Sequence, residues 1–122
     1  MAYDNENVFA KILRGELPNA TVYEDESILA FNDIAPQMPV HVLVIPKRPY
    51  IDINDFSANG TVEEIGNFFA KVGEIARSLG LDEDGYRVVS NNGQNAGQHV
   101  PHFHVHILGG RKIKEGGMAR GM

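Results

Sequence analysis

The chain has 122 residues, the size of one domain, and its 43% hydrophobic and 22% charged residues are close to globular averages. A formal charge of −5 disfavours long nucleic-acid duplexes as partners, and the absence of cysteine excludes disulfides and thiolate metal sites. The apolar runs fall short of the roughly 20 residues of a membrane span, and acidic residues stand where a signal peptide would be basic. We therefore expect a cytoplasmic protein with no membrane and no nucleic acid among its partners. It should form one domain over residues 1–122, with a flexible tail over about 112–122.

The first half of the chain predicts one short helix and three strands. Asp4 or Asn5 can cap a helix of about two and a half turns, which Gly15 ends. Short segments rich in β-branched and aromatic residues then predict a hairpin, and a continuous apolar run of strand length follows. These three strands are predicted at residues 20–25, 27–33 and 40–46.

The second half predicts one long helix and two strands. Apolar residues recur at helical spacing after Thr61, which can form a capping box with Glu64, and Gly80 closes the helix. Residues 86–91 predict a fourth strand, and a polar loop leads into a fifth that contains three histidines. Short links favour antiparallel pairing of consecutive strands. The predicted class is therefore α+β, with a five-stranded antiparallel sheet, one short helix and one long helix.

Three histidines occupy alternate positions of the last apolar run: His102, His104 and His106, with His99 just upstream. In a strand the three would share one face. They allow three interpretations: a solvent-facing strip, a tetrahedral metal site completed by His41 from a neighbouring strand, or nucleophilic catalysis by one imidazole that the others orient. The preceding loop, NNGQNAGQ, offers amide and backbone N–H donors but no carboxylate, which favours an anionic substrate.

These residues resemble the histidine-triad (HIT) proteins, whose motif alternates three histidines with apolar residues. Here the motif is HFHVHIL, at residues 102–108. The likeness extends to VFAKILRGELPNATVYEDESILAFNDIAPQMPVHVLVIPKR and LGLDEDGYRVVSNNGQNAGQHVPHFHVHILGGR, which look like the two halves of the Hint branch of the family. The resemblance covers about residues 7–111 and implies a HIT-like fold.

The resemblance implies a hydrolase, similar to purine nucleoside phosphoramidases, that cleaves the P–N bond of purine nucleoside 5'-phosphoramidates. Aminoacyl-adenylates are a further candidate substrate class. It makes His104 the nucleophile, which forms a nucleotidyl-histidine that water resolves to nucleoside monophosphate and free enzyme. It also implies that the His102 carbonyl orients His104, that His106 donates to phosphate oxygens and that His41 supports the cluster. No metal and no cofactor are implied.

The resemblance also implies a substrate pocket between the first helix and the first strands. Apolar side chains would enclose the base, Asp33 would accept both ribose hydroxyls, and Asn91 would lie near the leaving group. Backbone N–H groups of residues 97–100 would complete a phosphate cradle. The residues assigned to the substrate are Phe9, Ile12, Leu17, Phe31, Asn32, Asp33, Ile34, Asn91, Gly97, Gln98, His99, Val100, His104 and His106.

Two positions depart from the Hint pattern. His99 stands where Hint proteins commonly have a serine that contacts the phosphate and helps to protonate the leaving amine, so His99 joins the catalytic candidates. The tail after Arg111 is basic and lacks tryptophan, and no site residue is assigned there. The resemblance further implies a homodimer, in which the long helix and a central strand pair to make one continuous sheet.

Two other functions remain open. One is hydrolysis of dinucleoside polyphosphates, as in a sister branch of the family. The other is a nucleotide-binding or zinc-binding adaptor with little turnover.

Overall fold

A computed structural model describes residues 2–114 of the chain. Its centre is one five-stranded sheet with strand order β1-β2-β3-β5-β4, in which every neighbouring pair is antiparallel. The predicted α+β class is confirmed. The elements are α1 (Val8–Leu13), β1 (Thr21–Glu24), β2 (Ile28–Asn32), β3 (Val40–Pro46), α2 (Ile53–Asn59), α3 (Val62–Ser78), β4 (Arg87–Val89) and β5 (Val105–Gly109).

The first helix begins later than the sequence indicated. Its cap is Asn7, whose side-chain oxygen accepts the backbone N–H of Ala10 at 2.8 Å, so the prediction of Asp4 or Asn5 was wrong. The amide nitrogen of Asn7 donates to the carbonyl of Asp4 at 2.7 Å, which closes a turn ahead of the helix. Because that turn uses the first residues, α1 has 6 residues instead of the expected two and a half turns.

The long helix is confirmed, and a second short helix precedes it. Thr61 and Glu64 form the predicted capping box, with both of its hydrogen bonds present. The unexpected α2 has 7 residues, is capped by Asp52 and buries Phe56, which is 1% exposed. With one buried side chain in so short a segment, its sequence has no apolar periodicity to detect.

Strand β5 begins at Val105, so the first two histidines of the triad precede the strand instead of lying in it. Pro101 has no N–H for a sheet ladder, and the N–H of Phe103 donates to the carbonyl of Tyr50 at 2.7 Å instead of to a strand. The alternation of faces nevertheless continues upstream. Phe103 and Val105 belong to the core on the α3 side, whereas His102 and His104 make ring contacts on the α1 side.

The sheet has a different hydrophobic cluster on each face. The larger joins one face to α3, where Phe68, Val72 and Ile75 meet sheet residues. The smaller lies under α1 on the other face, around Phe9 and Phe31. The histidines lie on this second face. No helix within residues 2–114 is long and apolar enough to cross a membrane. Residues 115–122 lie outside the described part, and the predicted mobility of the tail stays a prediction.

Candidate active site

Four histidines form a buried cluster on the α1 face of the sheet. His41, His102, His104 and His106 are each at most 5% exposed, and with Asn7 they are the buried polar or charged residues of the described chain. The register of β3 and β5 places Leu43 opposite His106 and His41 opposite Leu108, so His41 and His106 are neighbours on paired strands. The ring centroids of His104 and His106 are 5.1 Å apart. Histidines far apart in sequence thus meet in one place.

The backbone carbonyl of His102 holds the His104 ring in one orientation. Its Nδ1 lies 2.7 Å from the carbonyl oxygen of His102, and since a carbonyl only accepts, Nδ1 carries the proton. Nε2 therefore has a free lone pair. The His104 carbonyl accepts the Ser90 hydroxyl at 2.8 Å, and the edge of Phe9 packs at 5.0 Å and 88° to the ring.

The Nε2 lone pair of His104 faces open space. Among residues 2–114 no group hydrogen-bonds to this atom, and the one fully buried side-chain nitrogen or oxygen without a partner is Nε2 of His106. Nε2 of His104 therefore keeps contact with solvent. An unprotonated, accessible imidazole nitrogen is the form that attacks an electrophile.

A chain of hydrogen bonds fixes the protons of His41 and His106. The backbone N–H of Gln37 donates to Nδ1 of His41 at 3.0 Å, so the proton of the neutral His41 ring is on Nε2. That nitrogen lies 2.9 Å from Nδ1 of His106, which must accept. The proton of His106 is therefore on Nε2, a buried donor with no partner within the described residues. An unsatisfied buried N–H beside a nucleophile is suited to an anionic oxygen.

His102 is held at both ring nitrogens. Nε2 lies 2.8 Å from the carbonyl of Pro46 and donates to it, so Nδ1 accepts the hydroxyl proton of Tyr3 at 2.6 Å. The ring is 0% exposed and meets the Tyr3 ring edge-on at 5.6 Å. Its backbone carbonyl, which orients His104, is thereby anchored by β3 and by the start of the chain.

The triad histidines are neutral. Burial lowers the pKa of His102 to about 4, and burial together with the neighbouring His104 and His41 lowers the pKa of His106 to about 3. Burial also lowers the pKa of His104, partly opposed by its bond to the His102 carbonyl and by the charge of Asp33, while His99 lowers it further. Burial lowers the pKa of His41 against the pull of Asp33. All four rings therefore stay uncharged near neutral pH.

The residues predicted to enclose the base lie on this face. Phe9 and Phe31 are 6% and 4% exposed and meet edge-on at 5.5 Å, with Ile12 and Val100 packed against the same cluster. Asp33, half-buried, follows β2, and its Oδ2 lies 3.4 Å from Nε2 of His41. The remaining assigned residues of this region, Leu17, Asn32 and Ile34, are exposed at its rim.

The loop before the triad is built differently from the prediction. The N–H groups of Gly97 and Gln98 donate to carbonyls of the loop itself, so they are not the free donors that we expected. The side-chain amide of Gln98 donates to the carbonyls of Ile51 and Val100 and accepts from the N–H of Gly93, so it fixes the loop conformation. Within residues 2–114 the N–H groups of His99 and Val100 make no hydrogen bond.

Glycines at the turns allow this loop conformation. Gly93 and Gly97 have φ of 79° and 73°, values that side chains disfavour. Half-buried Asn91 and exposed His99 flank the loop on its two sides. Of the predicted cradle, the two N–H groups without a partner within residues 2–114 are thus those of His99 and Val100, the end that is nearer to the triad in sequence.

A metal ion could be held by one group of residues in the described chain. Ligand atoms of Asp33, His41 and His106 lie within 4.8 Å of one another. However, Nε2 of His41 already donates a hydrogen bond to Nδ1 of His106, and the two nitrogens are 2.9 Å apart. This is closer than two nitrogen ligands lie on a tetrahedral zinc ion with bonds of about 2.0 Å. An ion would have to displace that proton and part the rings, so the geometry fits a hydrogen-bond network better than a metal site.

Several site residues could not be found from the sequence. Tyr3 lies 99 residues from His102, and nothing in its local pattern signals the contact. The roles of Ser90 and of the Gln37 N–H depend in the same way on the pairing of distant segments. These groups set the orientation and the protonation of the predicted histidines.

The Tyr3 contact predicts a loss of stability. Tyr3→Phe keeps the ring but leaves Nδ1 of His102 buried without a donor, so we expect the free energy of unfolding to fall by about 1–2 kcal/mol. Urea unfolding measures this. An unchanged midpoint, together with unchanged ¹⁵N shifts of the His102 ring, would show that the hydroxyl makes no contribution.

The lowered pKa values predict acid sensitivity. Below about pH 6.5 the unfolded histidines take up protons, while folded His102 and His106 stay neutral down to about pH 4 and 3. The unfolded state then binds more protons, so the free energy of unfolding should fall by up to about 1.4 kcal/mol per pH unit and histidine, and by about half of that near pH 6.5. Urea unfolding between pH 7.5 and 5.5 tests this slope, which His106→Asn should reduce. A stability independent of pH over this range is the opposite outcome.

Comparisons with known proteins agree with this geometry. Residues 14–113 match the HIT domain family. An uncharacterized 13.2 kDa HIT-like protein of Azospirillum brasilense is 55% identical over 111 residues, which are 91% of each chain. The purine nucleoside phosphoramidase of Escherichia coli K12 is 42% identical over 108 residues, 88% of this chain and 90% of that protein.

A solved structure supports the same assignment. A HIT family hydrolase from Clostridium thermocellum has a TM-score of 0.83 and 38% identity, covering 91% of this chain and 96% of that chain. The resemblance drawn from the motif is thus confirmed over nearly the whole sequence. The chain belongs to the HIT domain family.

Proposed function

We propose that this protein hydrolyses the P–N bond of purine nucleoside 5'-phosphoramidates through a covalent intermediate on His104. One observation carries the proposal: the free Nε2 lone pair of His104 lies beside the unpartnered Nε2–H of His106. A nucleophile next to an unused buried donor suits attack on a phosphorus whose oxygens carry negative charge. The similarity to the phosphoramidase of Escherichia coli supports the choice of bond.

The reaction proceeds in two displacements. Nε2 of His104 attacks phosphorus, an N–P bond to the ring forms, and the P–N bond to the amine breaks as the leaving nitrogen takes up a proton. Water then attacks phosphorus and gives up a proton to the neutral imidazole of His99, which has protonated the amine; the bond to His104 breaks, and nucleoside monophosphate leaves. Nδ1 of His104 keeps its proton throughout and donates it as a hydrogen bond to the His102 carbonyl, so the ring returns to the same tautomer. No metal enters either step.

Neutral donors hold the phosphate oxygens in this scheme. Nε2–H of His106 and the backbone N–H groups of His99 and Val100 provide three such donors. Because these donors are fixed by the fold before substrate binds, no free energy is spent on aligning them during the reaction.

His99 is proposed to face the leaving amine. It is exposed and lies five residues before His104, and its charge lowers the pKa of the His104 ring. An imidazolium there can donate the proton that the amine needs, and Asn91 on the other side of the loop can hold the same group. His99 then takes the place of the serine that is common in Hint proteins.

The nucleoside half of the substrate is proposed to occupy the pocket over Phe9 and Phe31. Ile12 and Val100 extend its apolar wall, while exposed Leu17 and Ile34 can close on a flat purine ring from the rim. Asp33 and Asn32 at the end of β2 are placed for the ribose. Two vicinal hydroxyls on one carboxylate favour ribose over deoxyribose.

We also propose that the protein is a homodimer. Strand β4 lies at the edge of the sheet, with Val88 44% exposed, and Phe69 on α3 is 41% exposed. An exposed edge strand next to apolar side chains suits pairing with a second copy. A cytoplasmic location stays a prediction.

Removing the nucleophile tests the activity. The substrate is adenosine monophosphate linked through phosphorus to a fluorescent amine whose emission changes on release. His104→Ala should lower kcat by about 10³-fold or more. His104→Asn keeps an N–H for the His102 carbonyl and controls for the fold. Mass spectrometry of quenched wild-type enzyme should locate a nucleotidyl adduct on His104.

The same assay separates the other functions. Equal turnover by wild type and both variants would refute the role of His104. Faster turnover of diadenosine polyphosphates than of the phosphoramidate would indicate the sister activity. No turnover of either, with stoichiometric zinc after purification, would indicate an adaptor.

A charge at the sheet edge tests the dimer. Val88→Arg places a long cation on β4, and the protein should shift from dimer to monomer in sedimentation velocity. Val8→Arg is the matched control, since Val8 is 49% exposed but lies on α1, on the opposite face of the sheet. A wild-type protein that sediments as a monomer, or equal behaviour of both variants, would refute the proposed interface.

A further inference from the structure

The proton on Nε2 of His41 has two acceptors within reach. Nδ1 of His106 lies at 2.9 Å and Oδ2 of Asp33 at 3.4 Å. The backbone N–H of Asp33 donates to the carbonyl of His41 at 2.9 Å, so the two residues are held side by side. The His41 side chain is 0% exposed, and water cannot screen it from the carboxylate. Hydrogen bonds to a charged acceptor are roughly twice as strong as neutral ones, so Asp33 competes with His106.

The two carboxylate oxygens of Asp33 have different hydrogen-bond partners. Oδ1 accepts the N–H of Ala35 at 2.8 Å, in a turn that follows β2. Oδ2 has the proton of His41 as its one nearby donor among the described residues. A ribose hydroxyl that donates to Oδ2 would therefore remove the competition for that proton.

The acceptor of the His41 Nε2 proton decides whether Nε2 of His106 carries an N–H or a lone pair toward the phosphate. When His41 donates to Nδ1 of His106, the proton of His106 stays on Nε2. When His41 turns to Asp33, Nδ1 of His106 loses its donor, and the ring is free to move its own proton to Nδ1. Nε2 of His106, which has no other partner in the described residues, would then direct a lone pair at the phosphate oxygens and repel them.

We propose that Asp33 couples ribose binding to catalysis: a ribose on Asp33 releases the His41 proton to His106 and so sets the donor that stabilises the phosphate. Asp33 is then a positioning residue for His106 as well as a ribose ligand. The inference rests on the proposed phosphoramidase activity. If the ribose hydroxyls only bound to Asp33, their removal would raise KM and leave kcat unchanged. If they also set the proton of His106, their removal would lower kcat.

The experiment is a cycle of two enzymes and two substrates. The substrates are the fluorescent-amine phosphoramidates of adenosine and of 2',3'-dideoxyadenosine, assayed with a chelator present. The enzymes are wild type and Asp33→Asn, which keeps an oxygen for the Ala35 N–H but removes the charge. For wild type, loss of the hydroxyls should lower kcat by about tenfold or more. For Asp33→Asn, the two kcat values should agree within about threefold, with KM raised for the ribose substrate.

Controls separate the coupling from other effects. Asp25→Asn is a matched variant, because Asp25 also accepts backbone N–H groups in a turn, those of Ser27 and Ile28, and lies outside the site. It should retain the wild-type difference between substrates. Asp33→Ala should behave like Asp33→Asn in kcat if the charge, and not the new amide, is responsible.

A second measurement does not depend on turnover. Long-range ¹H–¹⁵N spectra of the His106 ring report which nitrogen carries the proton. With adenosine monophosphate bound, the wild type should show the Nε2–H tautomer alone, and with the dideoxy nucleotide it should show a mixture that Asp33→Asn removes. Equal kcat for both substrates in the wild type, or one His106 tautomer with both nucleotides, would overturn the coupling. Failure of the wild type to cleave either phosphoramidate would instead refute the proposed function.

Discussion

The site depends on one hydrogen bond, from Nδ1–H of His104 to the carbonyl of His102 at 2.7 Å. That bond decides which ring nitrogen carries the proton and which keeps its lone pair. It joins a side chain to the backbone only two residues away. Hydrogen bonds from the rest of the structure hold this segment in its conformation. The His102 ring donates to the Pro46 carbonyl and accepts from the Tyr3 hydroxyl, and the His104 carbonyl accepts from the Ser90 hydroxyl.

An acidic chain can attract a phosphate here without a positive cluster. The formal net charge is −5, and the buried rings are neutral because desolvation disfavours their charged forms. In the proposed reaction, N–H groups take the role that cations have elsewhere: Nε2–H of His106 and the backbone N–H groups of His99 and Val100. Because the donors are neutral, burial still disfavours a charge in the cluster and keeps the attacking imidazole unprotonated.

The site residues on the sheet and those on the loop are held in place by different hydrogen bonds. Paired strands β3 and β5 fix His41 against His106 through their register, so the relative position of the rings is as rigid as the backbone ladder. The loop before the triad is held by the Gln98 amide instead, whose bonds to Ile51 and Gly93 replace a ladder. In the proposed reaction, two of the phosphate donors come from this loop, while the third donor and the nucleophile come from the segment that follows it.

The sequence by itself determined the class of the fold, the strands of the sheet, the capped long helix and the identity of the triad. Alternation and helical period are local properties, and the likeness to HIT proteins over nearly the whole chain indicates the family without coordinates. It did not determine the cap at Asn7, the helix that buries Phe56 or the start of β5, because each depends on contacts made by distant segments. Only the tertiary structure decided the protonation of the histidines. The partners that set it, Tyr3, the Pro46 carbonyl and the Gln37 N–H, come from segments that meet only when the sheet has formed.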